Sequence, residues 1–308
     1  MIYFLKHSYK KIFMKKLFIL SIILFYSSTY SQNASFDDVR EEVSFVSDNI
    51  YMISSVEGPI AGNIGVFVSE DGLIVIDDQY EINEEKILNA ISEISTLPIK
   101  LIINTHFHHD HSDGNKAFGK LNIPIYAHKN VRKRLNRNSI LYGSNRLIEK
   151  YPEEALPSLT YSSLMSLYES GEEIQLYNFG KGHTDGDTVI FFKSSNVIHA
   201  GDSFVTYGYP FVDLNNGGSF NGFLNILNMI ISLSDNDTKI IPGHGPICDI
   251  NDVIKFRDIV KEHVNKTIQG YNNGYSINQI VSSIKSSFDG DRTKEDFIKA
   301  IIFDLKND

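Results

Sequence analysis

Residues 99–111 read IKLIINTHFHHDH. The run Ile99–Ile103 is apolar apart from Lys100, which predicts a buried strand that ends in a loop. The loop holds histidines and an aspartate in the pattern H-x-H-x-D-H. Neutral imidazole is the commonest metal ligand, and a carboxylate among imidazoles suits a borderline cation such as zinc. The segment therefore predicts a metal site at a strand end; the alternative is a solvated polar loop that is rich in histidine.

Three further candidate ligands lie at strand ends, each directly after a glycine. His183 lies in the sequence GKGHTDGD, Asp202 in HAGD and His244 in PGHGP. Glycine lets the backbone turn sharply and approach an ion closely. Loops at strand ends are also where sites usually lie on α/β scaffolds. Each position alone is a weak signal, but their order after the histidine-rich loop predicts one shared metal site.

The rest of the chain alternates short apolar strands with helical patterns, in two β-rich halves. This order predicts an α/β fold, a four-layer sandwich with two β-sheets inside and helices outside. Residues 129–170 have weak periodicity, so we interpret them as an insertion or a lid over the site. The predicted strands are 49–54, 64–68, 73–76, 99–104, 123–127, 172–177, 188–193, 196–199 and 239–241, and the predicted helices are 84–94, 115–118, 220–233, 253–268, 277–288 and 294–305.

Residues 1–31 have the order of a secretory signal peptide. Lys15 and Lys16 precede a mostly apolar stretch at 17–26, and small or polar residues follow at 27–31. The apolar stretch is too short to span a bilayer as a stable helix. An N-terminal membrane anchor is the alternative, but the pattern favours an exported protein, either periplasmic or secreted.

The predicted signal peptide sets the expected domain organisation. Met14 is a possible second start, so residues 1–13 are a possible start-site extension. We expect one domain over residues 32–308, which includes C-terminal helices at about 251–308.

Composition limits the partners. The chain has 308 residues, of which 42% are hydrophobic, and a formal net charge of −9. Removal of residues 1–31 takes away five lysines and no acid, which leaves 24 − 38 = −14. An acidic chain repels phosphate backbones, so we expect no nucleic acid as a partner. We also expect no membrane contact after signal cleavage. Cys248 is the single cysteine, so no internal disulfide is possible.

On these motifs the chain resembles the metallo-β-lactamase superfamily, over roughly residues 63–245. Its C-terminal helices also resemble a branch of secreted or periplasmic zinc metallo-hydrolases. The resemblance implies two Zn²⁺ ions per chain and a small-molecule substrate. It also implies that Asp110 orients a metal-bound hydroxide and carries a proton, and that Asp202 offsets the repulsion between the cations. The implied ligands are His106, His108 and His183 for the first zinc, Asp110, His111 and His244 for the second, and Asp202 as a bridge.

Five other residues are weaker candidates. Asp77 ends a strand and could orient ligand histidines from behind, or simply cap the strand. Asp185 and His199 lie beside candidate ligands in the sequence, where they could support the ligands, fix a loop or fill the core. Tyr207 and Tyr209 follow Asp202 closely and are candidates for the substrate pocket, although a surface loop is an equal possibility.

The leading prediction of function is a binuclear zinc hydrolase that opens an amide, ester, lactone or thioester bond. Hydrolysis of β-lactam antibiotics is the first alternative, and export would favour it. Against it, β-lactamases of the family usually carry Cys or Ser where this chain has Asp202, and many carry Lys where it has Val205. An iron-dependent oxidoreductase is the alternative of another class, but diiron relatives use Glu at the position of His108.

Overall fold

Two β-sheets form the centre of the fold, in a computed structural model that describes residues 35–59, 61–144 and 147–307. In the larger sheet, the first four strands from the N-terminal edge pair antiparallel with one another. Each later strand pairs parallel with the strand before it in the sheet. Its strands, in spatial order, are β1 (Glu41–Ser47), β2 (Ile50–Ser55), β3 (Ile64–Val68), β4 (Leu73–Ile76), β5 (Ile99–Asn104), β6 (Ile125–His128) and β9 (Leu159–Tyr161).

The smaller sheet follows in the chain. Its strands pair antiparallel except for the last two, which are parallel. A separate antiparallel pair, β7 (Ser139–Ile140) and β8 (Leu147–Ile148), lies between the two sheets in the sequence. The strands of the smaller sheet, in spatial order, are β10 (Leu164–Glu169), β11 (Glu172–Tyr177), β12 (Val189–Phe192), β13 (Val197–His199) and β14 (Lys239–Ile241).

The helices lie in the connections and at the C-terminus. The long helix Ile250–Asn272 begins with a capping box, in which Asp249 and Asp252 satisfy each other's backbone N–H groups. The helices are α1 (Glu84–Ile94), α2 (His109–Ser112), α3 (Asn115–Lys120), α4 (Lys129–Leu135), α5 (Phe220–Leu233), α6 (Ile250–Asn272), α7 (Ile277–Ser283) and α8 (Lys294–Asn307).

Alternating side chains of the strands build separate cores on the two faces of each sheet. In β4, Ile74 packs between the sheets in a cluster with Phe192, whereas Val75 packs on the other face with Ile87 of α1. In β12, Val189 faces a third cluster that contains apolar residues of α5, α6 and α8. This alternation is the period of two that a pleated strand imposes. The predicted four-layer order of helices, sheet, sheet and helices is confirmed.

The interpretation of residues 129–170 as an insertion or lid is wrong for most of the segment. It contains α4, and it supplies β9 to the larger sheet and β10 to the smaller one. The segment therefore connects the two sheets. Its strands escaped prediction because β9 is short and β10 lies at an edge, where the inward and outward sides differ little in polarity. Of its described residues, 129–144 and 147–170, only Leu141 to Gly143 line the cavity described below.

The predicted helix 277–288 ends early, at Ser283. Ile280, Ile284 and Phe288 have helical spacing in the sequence, which suggested one continuous apolar stripe. In the structure Ile284 packs with Ile280, but the chain turns and Phe288 contacts the rings of Tyr209 and Phe256. Tertiary packing in a second core therefore overrides the local periodicity.

The predicted signal peptide, 1–31, and the possible extension, 1–13, lie outside the described residues. Phe36–Asp308 forms one compact unit by itself. In the described ranges, no helix combines the length and apolarity needed to cross a bilayer.

Candidate metal centre

Loops at the ends of strands position the candidate ligands. His106 and His108 follow β5, and Asp202 follows β13. His244 follows β14, and His183 precedes β12. Because β13 and β14 are parallel neighbours, their carboxyl ends bring Asp202 and His244 to the same edge of the smaller sheet.

Glycines allow these loops to pack against one another. Gly201 has a φ of +50°, which favours glycine, and a Cβ atom there would lie 2.8 Å from the Thr105 side chain. A Cβ atom on Gly243 would lie 2.0 Å from Oδ1 of Asp202. The glycines that precede the candidate ligands are therefore required by close approach, as the sequence motifs suggested.

The first ligand group contains His106, His108, His183 and Asp202, which are all buried. One potential ligand atom from each lies within 4.8 Å of the others. Nε2 of His183 lies 2.9 Å from Nδ1 of His108. Four donors that converge at this spacing can surround one cation.

The second group contains Asp110, His111 and His244, whose ligand atoms also lie within 4.8 Å of one another. Nε2 of His111 lies 3.3 Å from Nε2 of His244. The Asp202 carboxylate lies between the two groups: its Oδ1 is 3.1 Å from Nε2 of His111, and its Oδ2 is 3.5 Å from Nε2 of His183. The structure thus brings together all seven residues that the sequence suggested as ligands.

Hydrogen bonds on the outer side of the rings decide which nitrogens face inward. Nδ1 of His183 donates to the Phe211 carbonyl at 2.8 Å, so in the neutral ring Nε2 carries a lone pair. Nδ1 of His111 contacts the Asp77 carboxylate at 2.8 Å, and Nε2 of His108 contacts Asp213 at 3.1 Å. These carboxylates hold the ring protons on the outer side.

In the neutral rings of the first group, the inward nitrogens consequently present lone pairs to one another. Two imidazole lone pairs at 2.9 Å, those of His108 and His183, repel unless a cation or a proton lies near both. Nε2 of His106 is buried and has no hydrogen-bond partner within the described ranges. Imidazoles with fixed tautomers and two carboxylates are the donor set that zinc prefers, so the residues fit zinc.

Two histidines of the first group, His106 and His183, are uncharged at pH 7. Burial lowers the pKa of His106 well below its ordinary value. Burial also lowers the pKa of His183 to about 4. Both rings are neutral at pH 7 and can coordinate without losing a proton.

The second group has the opposite protonation. Burial opposes a charge on His244, but the Asp202 and Asp110 carboxylates outweigh it and raise its pKa to about 9. The same two carboxylates raise the pKa of His111 well above its ordinary value, again against burial. The histidines in turn hold the pKa of both carboxyls well below the usual range, so both are ionised. Without a bound cation this group holds protons where a cation would lie.

The weaker candidates have different surroundings. Asp77 accepts hydrogen bonds from the Thr105 backbone and hydroxyl at 2.7 Å and contacts His111, so it orients a candidate ligand directly. The Asp185 carboxylate instead pairs with the Arg134 guanidinium at 2.7 Å, so its contact fixes a loop.

His199 is buried behind the Asp202 turn. Its Nε2 lies 3.2 Å from the Asn63 carbonyl, and its Nδ1 accepts from the Gly201 N–H at 3.3 Å. These contacts tie β13 to the loop before β3, next to the turn that carries Asp202. His199 thus acts on the turn backbone, not on a ligand side chain.

Asp213 was missed by sequence reasoning. It is fully buried and contacts His108, and it also accepts from the Tyr142 N–H at 3.0 Å and from the Asn216 side chain at 2.7 Å. A lone aspartate between Val212 and Leu214 carries no signal in a single sequence. Only the tertiary contact, across 105 positions from His108, reveals it.

A cavity of about 770 Å³ opens over both ligand groups, where His108, Asp110, Asp202 and His244 form part of its floor. Tyr207 is 38% exposed, and its ring centroid lies 5.4 Å from that of His244. Tyr209 also borders the cavity, but it is only 2% exposed and its hydroxyl lies 3.2 Å from Nε2 of His263. Tyr207 is therefore available to a substrate, whereas Tyr209 mainly packs the core.

Comparison with known proteins gives a family match. A model of the metallo-beta-lactamase superfamily matches residues 58–244, which is more than half of the chain. The chain is 28% identical over 167 residues to the metallo-beta-lactamase type 2 of Elizabethkingia meningoseptica, which covers 52% of the chain and 61% of that protein. It is 30% identical over 178 residues to a probable metallo-hydrolase of Methanocaldococcus jannaschii (54% and 77%), and 30% identical over 158 residues to an N-acyl homoserine lactonase of a Bacillus species (47% and 57%).

Solved structures share the fold at lower identity. The DIM-1 metallo-beta-lactamase superposes with a TM-score of 0.58 at 18% identity, over 73% of this chain and 99% of that one. A sec-alkyl sulfatase superposes with a TM-score of 0.63 at 12% identity, over 85% of this chain and 49% of that one. The likeness therefore extends to proteins with different named substrates.

Proposed function

The chain belongs to the metallo-beta-lactamase superfamily, and we propose that it is a binuclear zinc-dependent hydrolase that opens an acyl bond, in an amide, ester, lactone or thioester. The observation that supports this proposal most strongly is the pair of ligand groups that share Asp202. His106, His108 and His183 would hold one ion, and Asp110, His111 and His244 the other. The relatives named as a lactamase, a lactonase and a metallo-hydrolase support the same reaction class.

Zinc, when bound, would lower the pKa of water toward 7 and polarise the substrate carbonyl. The chain's own residues supply the rest. Asp110 is the more exposed of the two ligand-group carboxylates at the cavity, with a side chain that is 20% exposed against 6% for Asp202. Its Oδ2 lies 3.3 Å from Nε2 of His244. Because Asp110 is ionised, it can take a proton from an attacking water and then pass that proton to the leaving group.

The surroundings of Val205 bear on whether the protein hydrolyses β-lactams. Val205 is fully buried, so the position where many family β-lactamases carry a carboxylate-binding lysine cannot contact a substrate here. A β-lactamase activity would need its anion contact elsewhere. We therefore keep β-lactams as one substrate class to be measured beside esters, lactones and thioesters.

The test is metal content together with turnover. We expect purified protein that lacks residues 1–31 to hold two zinc ions per chain and to hydrolyse at least one member of a panel of β-lactam, lactone, ester and thioester substrates. Chelation should abolish the activity, and zinc should restore it. One iron per chain with no hydrolysis would instead support the oxidoreductase alternative.

We also propose that the protein is exported, on the pattern of residues 1–31. Cell fractionation of the full chain, with mass determination of the mature N-terminus, tests this. Cleavage near residue 31 is the expected result, and an intact N-terminus in the cytoplasm would contradict it.

A further inference from the structure

One wall of the cavity lies outside the part of the chain that the family model matches. The match ends at residue 244, whereas this wall comes from the start of α8 and the residues just before it. The wall therefore belongs to this chain's own C-terminal segment. Its residues at the cavity are Asp291, Arg292, Asp296, Lys299 and Ala300.

The two cations of this wall differ in their partners. Nζ of Lys299 lies 2.7 Å from Glu295 and 3.8 Å from Asp296, so carboxylates on its own helix compensate its charge. Arg292 has no ion-pair partner within residues 35–59, 61–144 and 147–307. Its guanidinium lies over the ring of Phe211, 5.1 Å from the centroid, in a cation–π contact.

Phe211 links Arg292 to the candidate metal centre. The Phe211 ring centroid lies 5.8 Å from those of His108 and His183, and its carbonyl accepts the hydrogen bond from His183. One aromatic ring thus separates the guanidinium from two candidate ligands. A substrate whose carbonyl lies at the centre would place a group a few bonds away beside Arg292.

The chemistry of the cavity selects the kind of group. Guanidinium offers parallel N–H donors that match the two oxygens of a carboxylate. Arg292 is half-buried, so water screens its charge less than at a fully exposed site. The neighbouring Leu141, Tyr142 and Phe211 provide apolar surface for the carbon skeleton of a substrate.

We propose that Arg292 is a specificity-determining residue that binds a carboxylate of the substrate, so that the protein acts preferentially on acyl compounds that carry this group. The inference rests on the proposed hydrolase function and narrows its substrate class. The carboxylate group would distinguish the substrates of this chain from neutral esters and neutral lactones.

A pair of matched esters tests the inference on the zinc-loaded chain. 4-Nitrophenyl hydrogen glutarate carries a free carboxylate, and 4-nitrophenyl methyl glutarate has the same skeleton without the charge. We expect the wild type to have the higher kcat/KM on the charged ester. Arg292→Gln should lower that value by about 10- to 100-fold, mainly through KM, because a charge-assisted hydrogen bond is lost. The kcat/KM of Arg292→Lys on the charged ester should lie between those of the wild type and Arg292→Gln.

Lys306→Gln is the matched control. It removes one positive charge from the same C-terminal segment, and Lys306 also lies over an aromatic ring, that of Tyr271, at 5.7 Å. We expect it to leave both esters unaffected. Equal losses on both esters in Arg292→Gln would indicate a structural role and overturn the inference, as would a wild type that does not distinguish the esters.

Failure of the proposed function is separable from failure of this inference. If neither ester nor any other acyl substrate turns over, the hydrolase proposal fails. Binding of monomethyl glutarate to the zinc-loaded protein, measured by calorimetry, then tests Arg292 alone. Weaker binding in Arg292→Gln but not in Lys306→Gln would support the carboxylate contact, and equal binding in all three proteins would refute it.

Discussion

The two ligand groups of the candidate metal centre have the same types of donor but opposite protonation. In the first group, burial keeps His106 and His183 neutral. In the second, the Asp110 and Asp202 carboxylates overcome burial and keep His244 protonated at pH 7. The difference arises from the placement of the carboxylates, since the rings of both groups are equally buried. It implies that a cation need not displace protons from His106 or His183, but must displace protons from the second group.

The two groups also differ in the hydrogen-bond partners of the ring nitrogens that face away from the centre. His108 and His183 of the first group each have an outer partner, Asp213 or the Phe211 carbonyl. In the second group His111 has Asp77, but Nδ1 of His244 is buried without a hydrogen-bond partner in the described ranges. The first group is therefore better preorganised, and we expect it to hold its ion more tightly.

The largest expected effect comes from removing one histidine of each group. His108→Ala should lose the tightly held ion and lower turnover by roughly 10²–10³-fold or more. His244→Ala should retain about one zinc per chain, because the first group is intact. Elemental analysis and turnover on the best substrate check both variants. If His244→Ala loses as much metal as His108→Ala, the two groups are not independent and the comparison fails.

Zinc affinity should depend on pH in the second group only. His244 has a pKa of about 9 and the pKa of His111 is also raised, so the second ion must displace protons from this group. Its affinity should therefore rise by at least about tenfold per pH unit from pH 7 to 9. His183, with a pKa of about 4, is already neutral there, so the affinity for the first ion should stay nearly constant. Competition with a chelator at several pH values measures both ions. Parallel slopes for the two would contradict the assignment.

Two carboxylates, Asp213 behind the first ligand group and Asp77 behind the second, allow a further test. Asp213→Asn should weaken the first ion, and Asp77→Asn the second, each by about 10- to 100-fold, since the amide keeps the shape but loses the charge behind the ring. Asp185→Asn is the control, because its partner is Arg134. Zinc titration of the three variants decides the matter; an effect of Asp213→Asn on the second ion alone would reverse the assignment.

The smallest expected effect is on stability and comes from His199. This residue has the same low pKa as His183, but it lies behind the Asp202 turn and not in a ligand group. Burial lowers the pKa of His199 to about 4, whereas the unfolded chain has the ordinary value near 6.5. Between these values the unfolded state binds more protons, so the free energy of unfolding falls as pH drops from 6.5 to 4 and is constant above. The loss should reach about 3 kcal/mol at most for this group in the zinc-free protein.

His199→Gln tests this contribution. Glutamine has no titrating group in this range, so the fall in the free energy of unfolding between pH 6.5 and 4 should be shallower in the variant. Denaturant titrations of zinc-free wild type and variant measure it. An identical pH dependence in both proteins would show that other groups account for the acid sensitivity.

The candidate ligands could be predicted from the sequence because each lies in a recognisable local pattern. Strand, turn and ligand are adjacent in the chain at β5, β13 and β14, and the glycines reveal the tight turns. The strands at 64–68, 73–76 and 99–104 were likewise predicted correctly, since buried central strands are nearly continuous apolar runs.

The errors have a common physical cause. The strands β9 and β10 are short or lie at a sheet edge, and the helical stripe through Ile284 and Phe288 is divided between two cores. In these places partners distant in the sequence, not local periodicity, decide the conformation. Asp213 and Arg292 were missed for the same reason, because their roles depend on the residues they meet.

The family, the layer order and the residues that converge on the centre could be predicted from the sequence, because hydrophobic period and glycine turns are local properties. The protonation of the ligands could not be predicted in this way. That depends on which ring nitrogen meets Asp77, Asp213 or the Phe211 carbonyl, and on how closely Asp202 approaches each group. Electrostatic interactions fall off with distance and change with burial, so they are fixed by three-dimensional placement and not by order along the chain.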